Sequence, residues 1–298
     1  MTSGASARLC SALGDAPALA IAVSGGVDSM TLAVVLGRGH PSVVMYHALS
    51  PAVPPNATAR VEAYAAREGW QLSLLDAGEF DDERYRQNPV NRCYFCKSHL
   101  YETMSLQSEQ ARAQNRVLCS GTNLDDLSDF RPGLLAARTF AVRHPYVEAG
   151  LRKSDVRTLA RSLGLTDLAD LPAAPCLSSR VETGIRIEPG DLRAVHEVES
   201  AARASLAADT VRCRVRRNGI VIELDEQALS RLSTELETTL RQIAASAFGR
   251  NRTGRPALIA GIRFERYAMG SAFLAEPRVR ELPAGVRGRG KSLSERGR

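Results

Sequence analysis

The sequence predicts an α/β protein with a doubly wound parallel sheet and a smaller C-terminal α+β domain. In the first 170 residues, short apolar runs typical of buried strands alternate with amphipathic segments typical of helices. Polar or glycine-rich segments follow two of these runs, at the sheet edge where doubly wound folds bind ligands. After a proline-rich stretch the pattern changes to a helix, a hairpin, a helix and a strand. We therefore predict a first domain over 1–170, a second over 171–275 and a tail over 276–298.

The elements of the first domain follow from its apolar runs and the residues that interrupt them. Strands are predicted at 18–23, 42–49, 71–76 and 116–120. Helices are predicted at 28–36, at 56–67 with Asn56 as its cap, and at 154–163 with Ser154 as its cap and Gly164 closing it.

The second domain has four predicted elements. They are a helix at 191–205, a hairpin at 211–224 with its turn at Asn218-Gly219, a helix at 227–246 and a strand at 257–264. Because the hairpin alternates, Arg212 and Arg214 lie on one face of its first strand and could clamp a phosphate. An ordinary solvated strand face is the alternative for these two arginines.

The segment Ser24-Gly25-Gly26-Val27-Asp28-Ser29 has the pattern of a phosphate-binding loop. It joins a buried strand to a helix, and its two glycines let the backbone turn tightly and approach an anion. Hydroxyls and free N–H groups then lie at the positive end of the helix. No Gly-Lys-Ser/Thr follows, so the segment is not a Walker A loop, and transfer of a γ-phosphate is disfavoured. A plain Gly-Gly turn is the alternative.

Charge and hydropathy limit the classes of function. The net charge is +6, but residues 278–298 hold six Arg and one Lys against two Glu, a net +5. The rest of the chain is nearly neutral, so nucleic acid is not the expected partner and the tail is expected to be disordered. No apolar run is long enough to span a membrane. Asp15 interrupts the Ala-rich start, which argues against a signal peptide, and we expect a cytoplasmic protein.

Three of the six cysteines stand out. Cys93 and Cys96 form a CxxC, a spacing compatible with a zinc pair, a redox pair or iron–sulfur ligands. No second Cys/His pair supports zinc. Cys176 is followed by Ser178, Ser179 and Arg180, and a nearby guanidinium lowers a thiol pKa. A CxxC with one distant cysteine suits a 4Fe-4S cluster that has three protein ligands, while a packing role for Cys176 stays open.

Together these motifs resemble a known family. The loop at 24–29 is similar to that of the PP-loop ATP pyrophosphatases. The wider set resembles the LarE family of ATP-dependent sulfur transferases, which act in nickel-pincer nucleotide cofactor synthesis. The matching segments, which lie in order over about 18–270, are 24–29, 91–97, 121–126, 129–134, 153–157, 175–180 and 211–214.

The resemblance implies a reaction. ATP and Mg²⁺ bind at the loop, and a carboxylate of pyridinium-3,5-biscarboxylic acid mononucleotide attacks the α-phosphate. The acyl-adenylate then receives sulfur at Cys176, which releases AMP and leaves a thiocarboxylate. Members with one cysteine sacrifice its sulfur. This chain resembles the three-cysteine members, in which a 4Fe-4S cluster on Cys93, Cys96 and Cys176 delivers a bound sulfide.

The resemblance also assigns residues to roles. The catalytic set is Cys176, Asp28, Ser179 and Arg180, with Asp28 also as a ligand of Mg²⁺. The ATP-binding set is Ser24, Gly25, Gly26, Val27, Asp28, Ser29, Gly121, Asn123, Asp126 and Arg131. The substrate set is Glu199, Arg212, Arg214 and Ser179. Arg231 departs from an acid in the family, which puts substrate contacts on that side in doubt.

The expected partners are a small nucleotide substrate, further copies of the chain in a trimer or hexamer, and a sulfide donor. Three other functions remain open. A tRNA thiolase shares the loop and the cysteines, and the basic tail is the one feature in its favour. An amide-forming ligase would leave the cysteines without a role. A nucleotide-binding module without catalysis would not convert ATP to AMP.

Overall fold

The predicted parallel sheet is confirmed in the computed structural model, which describes residues 4–110, 116–128, 131–173, 175–250 and 261–268. Four parallel strands lie in the order β3-β2-β1-β4. Their bounds are Leu19–Ala22 for β1, Val43–Ala48 for β2, Gln71–Leu75 for β3 and Val117–Cys119 for β4. Each strand end lies within one residue of its predicted bound, because apolar residues mark these strands directly in the sequence.

Nine helices of the described residues accompany this sheet. They are α1 Gly4–Ala12, α2 Val27–Gly39, α3 Pro55–Glu68, α4 Glu83–Arg86, α5 Arg92–Gln110, α6 Gly133–Thr139, α7 Pro145–Glu148, α8 Lys153–Ser162 and α9 Thr166–Ala169. Alternate strand residues contribute to two separate cores. Ile21 packs with α1, α2 and α8, whereas Ala20 and Ala22 pack with α5 and α6. Both faces of the sheet are therefore covered, which is the doubly wound arrangement.

The strand order places a topological switch point between β1 and β4. The chain moves outward from β1 to β2 and β3, and then returns to the other side of β1 to form β4. The segments that leave the carboxyl ends of β1 and β4 therefore diverge around a crevice, which is where doubly wound folds bind ligands. They are the glycine-rich loop and residues 120–123.

A mixed sheet of three strands forms the C-terminal part. It consists of β5 Val211–Arg216, β6 Gly219–Leu224 and β7 Arg263–Arg266, with β5 antiparallel and β7 parallel to β6. The helices here are α10 Pro189–Leu206, α11 Glu226–Ser230 and α12 Thr234–Arg250. The predicted hairpin is confirmed, but Gly219 already pairs with Arg216, so the turn is Arg217-Asn218. The start of the last predicted strand, 257–260, and the predicted tail lie outside the described residues.

The expected single helix at 227–246 is wrong, because α11 and α12 are separate. Asp225 caps α11 by accepting from the Ala228 N–H at 2.8 Å, and Ser233 accepts from the Leu236 N–H at 3.2 Å to begin the next helix. Arg231, between them, donates to the carbonyl of Leu206 at 3.0 Å. The two capping residues, Asp225 and Ser233, lie eight residues apart, and they are a local signal that the apolar period does not show.

Two predicted helix caps are also wrong. Asn56 lies inside α3, which begins at Pro55 after Pro54, because proline favours the first helical position. Ser154 lies inside α8, where the Asp155 carboxylate accepts from the Arg152 N–H at 2.8 Å. None of the helices among the described residues combines the length and apolarity needed to cross a membrane.

Candidate functional site

The glycine-rich loop has the geometry of an anion cradle. Gly26 precedes α2 without a side-chain cap, so the N–H groups of the first helical turn are left to bind an anion. The hydroxyls of Ser24 and Ser29 lie 3.1 Å apart, and Ser29 Oγ accepts from the Ser24 N–H at 3.0 Å. Gly25 has φ of +78°, and a Cβ there would lie 2.7 Å from the carbonyl oxygen of Ala57. Only glycine fits this position without strain.

The segment after β4 meets this loop, as the sequence predicts. A Cβ on Gly121 would lie 2.8 Å from the backbone nitrogen of Ser29, so glycine allows the close approach of the two segments. Asn123 Nδ2 donates to a carboxylate oxygen of Asp28 at 3.3 Å. The two predicted nucleotide-binding segments are therefore in direct contact.

Two residues that sequence analysis did not assign also hold Asp28. Lys153, at the first position of α8, forms an ion pair with the Asp28 carboxylate. Tyr146, which is fully buried, donates its hydroxyl to the Asp28 carbonyl at 2.9 Å. Burial raises the pKa of Tyr146, so this hydroxyl stays a donor at neutral pH. Lys153 stands in a matched motif, but no local pattern pointed to Tyr146.

Asp126 and Arg131 lie at the rim of the same region. Asp126 accepts from the Asn123 N–H at 3.0 Å, and Arg131 donates to the Asp126 carboxylate at 2.8 Å. Asp129 and Phe130, from the matched segment, lie outside the described residues. Asp126 thus stabilises the turn that presents Asn123 to Asp28.

The CxxC lies at the start of a helix. Cys93 and Cys96 occupy the first turns of α5, and Cys176 lies in the segment that leads into a 3₁₀ turn, Leu177–Arg180. Desolvation raises the pKa of Cys96 to about 12 and also raises that of Cys93, and the charge of Cys176 adds to both shifts. Cys93 and Cys176 nonetheless reach solvent, so these thiols lie in an accessible recess.

Lys97 belongs to the same recess. Desolvation lowers its pKa, but the coulombic interaction with the ionised forms of Tyr101, Cys96, Cys93 and Cys176 outweighs this and raises it overall. The three predicted cysteines are therefore close enough to share one electrostatic environment. Within the described ranges, no three His, Cys, Asp or Glu side chains are arranged to hold a metal ion.

A buried ionic cluster lies behind the Cys176 turn. Arg180 donates to Glu199 at 2.8 Å and Arg214 donates to Glu223 at 3.1 Å, with all four side chains buried. Glu199 also accepts from the Cys213 N–H at 3.0 Å. Glu199 therefore joins α10, the Cys176 turn and β5.

Arg180 contacts the main chain of the turn rather than a described thiol. Its guanidinium donates to the carbonyls of Pro175 at 2.9 Å and Cys176 at 3.4 Å, and to Ser179 Oγ at 2.8 Å. Behind it, the hydroxyls of Tyr85 and the buried Ser178 lie 2.7 Å apart. These contacts fix the turn from both sides and leave Cys176 exposed.

Arg212 and Arg214 share one face of β5, but both are buried and are not an open pair. Arg212 donates to the carbonyls of Val211 at 2.8 Å and Ala173 at 3.0 Å. Desolvation lowers the pKa of Arg212, and the neighbouring charge of Arg180 adds to this. Arg214 also donates to the carbonyl of Ser179 at 2.9 Å. Strand alternation predicts the shared face but not the depth at which it lies.

Comparisons with known proteins give three informative relatives, and no family model matches the chain. An uncharacterized protein of Synechocystis sp. is 38% identical over 213 residues, which are 70% of this chain and 77% of that protein. An uncharacterized protein of Methanocaldococcus jannaschii is 26% identical over 228 residues, 76% of this chain and 85% of that protein.

The third relative has a name. It is the pyridinium-3,5-bisthiocarboxylic acid mononucleotide synthase of Lactiplantibacillus plantarum, 28% identical over 246 residues, which are 81% of this chain and 87% of the synthase. On the strength of the closer Synechocystis match, the chain belongs to the same protein family as that uncharacterized cyanobacterial protein, and it is similar over most of its length to this synthase.

Proposed function

We propose that the protein is an ATP-dependent sulfur transferase of the LarE family, which converts a carboxylate of pyridinium-3,5-biscarboxylic acid mononucleotide into a thiocarboxylate. The similarity to the named synthase, over 87% of that protein's length, carries this proposal. That similarity also covers 81% of this chain. The reaction needs an activating site and a sulfur site together, and the glycine-rich loop and the Cys176 segment are the candidates for the two.

The loop provides the activating half of the proposed reaction. Its N–H groups and the hydroxyls of Ser24 and Ser29 bind the phosphates of ATP, and Asp28 binds Mg²⁺. The substrate carboxylate attacks the α-phosphorus, and the bond to the β-phosphate oxygen breaks to release pyrophosphate. Donors that are already oriented stabilise the charge on the departing group.

The recess of Cys93, Cys96 and Cys176 provides the sulfur half. A sulfur nucleophile attacks the acyl carbon of the adenylate, and AMP leaves with the bonding electron pair. Arg180, fixed by Glu199, orients the Cys176 turn, and the charge of Arg212, which donates to main-chain carbonyls, favours a phosphate-bearing substrate nearby.

Three thiols are the ligand type that a 4Fe-4S cluster takes, although the described side chains are not arranged to hold a metal ion in this structure, so a cluster would require Cys93, Cys96 and Cys176 to converge. Three thiols from two segments share one environment, and two of them are exposed. A cluster held by these three residues would carry the exchangeable sulfide. Without one, the sulfur comes from Cys176, and dehydroalanine remains.

The test is substrate-dependent conversion of ATP to AMP and pyrophosphate. We expect the purified protein to release AMP with the pyridinium dicarboxylate mononucleotide and Mg²⁺, and the variants Asp28→Asn and Cys176→Ser to yield no thiocarboxylate. Release of AMP that depends on unmodified tRNA instead would contradict the proposal in favour of tRNA thiolation, and dependence on ammonia would favour an amide-forming ligase. No observation on the described residues favours either of these, since the basic tail lies outside them.

A further inference from the structure

Besides Lys153, a second cation contacts the glycine-rich loop. It is Arg60 on α3, which is not among the site residues that the sequence predicts. We propose that Arg60 binds the β- and γ-phosphates of ATP and holds the pyrophosphate as it leaves. The inference rests on the proposed function for the identity of the reaction, and on the contacts of the loop for the identity of the residue.

Helix α3 packs against the glycine-rich loop and brings Arg60 to it. Its first turn lies directly against the loop, because a Cβ on Gly25 would meet the Ala57 carbonyl oxygen at 2.7 Å and the Ala57 Cβ at 3.0 Å. One turn further along α3, Arg60 Nη1 donates to the carbonyl oxygen of Gly25 at 2.8 Å. The half-buried guanidinium is therefore tied to the residue at which the loop turns.

Most N–H groups of the Arg60 guanidinium are available to bind an anion. A guanidinium has five N–H groups, and among the described residues the Gly25 carbonyl is the acceptor that Arg60 reaches. Neighbouring arginines are used differently. Arg38 and Arg67 both pair with Glu68, at 2.8 and 3.2 Å. Arg60 has no such carboxylate within the parts of the chain that the structure describes, so its charge is available to an anion.

The loop itself contributes no cationic side chain. Residues 24–29 contain no Lys or Arg, and their one charged side chain, Asp28, is already paired with Lys153. The end of a helix supplies only about half a unit of positive charge. Pyrophosphate carries several negative charges, of which Mg²⁺ and the helix end would offset only a part, so a cation tied to the loop main chain, as Arg60 is, would add to its binding.

The Arg60 guanidinium is preorganised to bind an anion. The hydrogen bond from Nη1 to the Gly25 carbonyl already restrains the guanidinium, so less side-chain freedom is lost when phosphate oxygens bind its other N–H groups. A purely structural role predicts a different pattern. There, loss of Arg60 would distort the loop and weaken every ligand that the loop binds, whether or not it carries β- and γ-phosphates.

The experiment measures the binding of ATP, pyrophosphate and AMP, each with Mg²⁺, by calorimetry to the full chain and to the variants Arg60→Gln, Arg60→Lys and Arg67→Gln. Arg67→Gln is the matched control, since it removes a cation from the same helix two turns further on. We expect Arg60→Gln to weaken ATP and pyrophosphate by about 10- to 100-fold, the range for a lost charge-assisted hydrogen bond. The affinity of Arg60→Lys for ATP and pyrophosphate should lie between those of the wild-type protein and Arg60→Gln. The affinity for AMP should be unchanged in both variants.

The outcomes are separable. Equal losses for AMP and ATP, or unchanged ATP and pyrophosphate affinity in Arg60→Gln, would overturn the inference. A variant that has lost its fold also loses its affinity for AMP, so AMP binding distinguishes unfolding from the loss of a phosphate contact. If Arg60→Gln does not fold, the affinities of Arg60→Lys for ATP, pyrophosphate and AMP provide the test. A selective loss of pyrophosphate together with no thiocarboxylate from the wild-type protein would support Arg60 as a pyrophosphate residue and contradict the proposed function alone.

Discussion

At the scale of the residue, two glycines bring three segments into contact around one anion cradle. Gly25 lets α3 pack on the loop, and Gly121 lets the segment after β4 reach the first turn of α2. In each case the atom that a side chain would meet belongs to the backbone, which cannot rotate away. The cradle therefore depends on the absence of a methyl group at two positions more than ninety residues apart.

We expect Gly121→Ala to weaken ATP binding at least about tenfold, because the new Cβ would lie 2.8 Å from the Ser29 nitrogen and displace a donor of the cradle. The matched control is Gly249→Ala in α12, where nothing lies within 4 Å and alanine favours the helix. Calorimetric titration with ATP checks both. Equal affinities in the two variants would show that the close approach does not serve the nucleotide.

Glu199 gives a second residue-scale prediction. Glu199→Gln should destabilise the fold by about 3–5 kcal/mol, because it leaves the buried Arg180 without its carboxylate. Denaturant unfolding measures this loss, and Glu197→Gln, an exposed site on the same helix, is the control. A loss below about 1 kcal/mol, with reduced substrate binding, would assign Glu199 to the substrate rather than to the cluster.

At the scale of the element, the sequence predicts strands well and helix boundaries less well, for a physical reason. Each parallel strand is marked by its own apolar residues, so β1 to β4 can be recognised locally. The start of α8 depends on the Asp155 carboxylate reaching back to Arg152, and the separation of α11 from α12 depends on two caps. The same division applies to the residues of the candidate site. The loop and Gly121 follow from strand ends, whereas the contacts of Arg60, Tyr146 and Arg212 depend on packing between distant segments.

The helix that carries the CxxC is held by Asp82. Its carboxylate accepts from Arg84 and, at 2.9 Å, from His99 on α5. The hydrogen bond from Arg84 is the main cause that holds the Asp82 pKa below its usual range, with His99 adding to it and desolvation opposing it. A depressed folded-state pKa stabilises the protein above the unfolded value of about 4, and this contribution is lost as the pH falls through the folded value.

Asp82→Asn should therefore lower the free energy of unfolding by about 1 kcal/mol at pH 7. The difference in this free energy between the variant and the wild-type protein should shrink as the pH falls below about 4. Asn keeps an oxygen for the helix cap, so the change isolates the charge. Urea unfolding at pH 7, 5 and 3 checks this, with the exposed Asp81→Asn as control. A gap that stays constant across these pH values would be inconsistent with the ion pair.

At the scale of the whole molecule, a network of main-chain contacts joins the sheet part to the C-terminal part. Asn88 is fully buried with φ of +53°, and its side chain donates to the carbonyls of Val181 at 3.2 Å and Glu182 at 3.0 Å. Its own carbonyl accepts from the Gly184 N–H at 2.9 Å, and the Ala52 carbonyl accepts from the Leu177 N–H at 2.8 Å. These bonds attach the Cys176 turn to the part that carries the CxxC.

Asn88→Ala should destabilise the protein by about 2–4 kcal/mol, since it removes the three side-chain hydrogen bonds of a buried residue, including the one that Asn88 accepts from Arg92, and places alanine at a positive φ. Thermal unfolding of the wild-type protein should show one transition. In the variant this transition should have a lower midpoint temperature or should split into two. Asn91→Ala, three residues away, is the control. An unchanged transition would mean that the two parts are joined by other contacts.

The most direct test of the central claim is a single-turnover reaction analysed by mass spectrometry of both the product and the protein. We expect one AMP for each thiocarboxylate formed, in an anaerobic sample with ATP, Mg²⁺ and the pyridinium dicarboxylate mononucleotide. A chain of unchanged mass, with iron and acid-labile sulfide present, would assign the sulfur to a cluster, and a chain lighter by one H₂S would assign it to Cys176. AMP formed without any thiocarboxylate would contradict sulfur transfer.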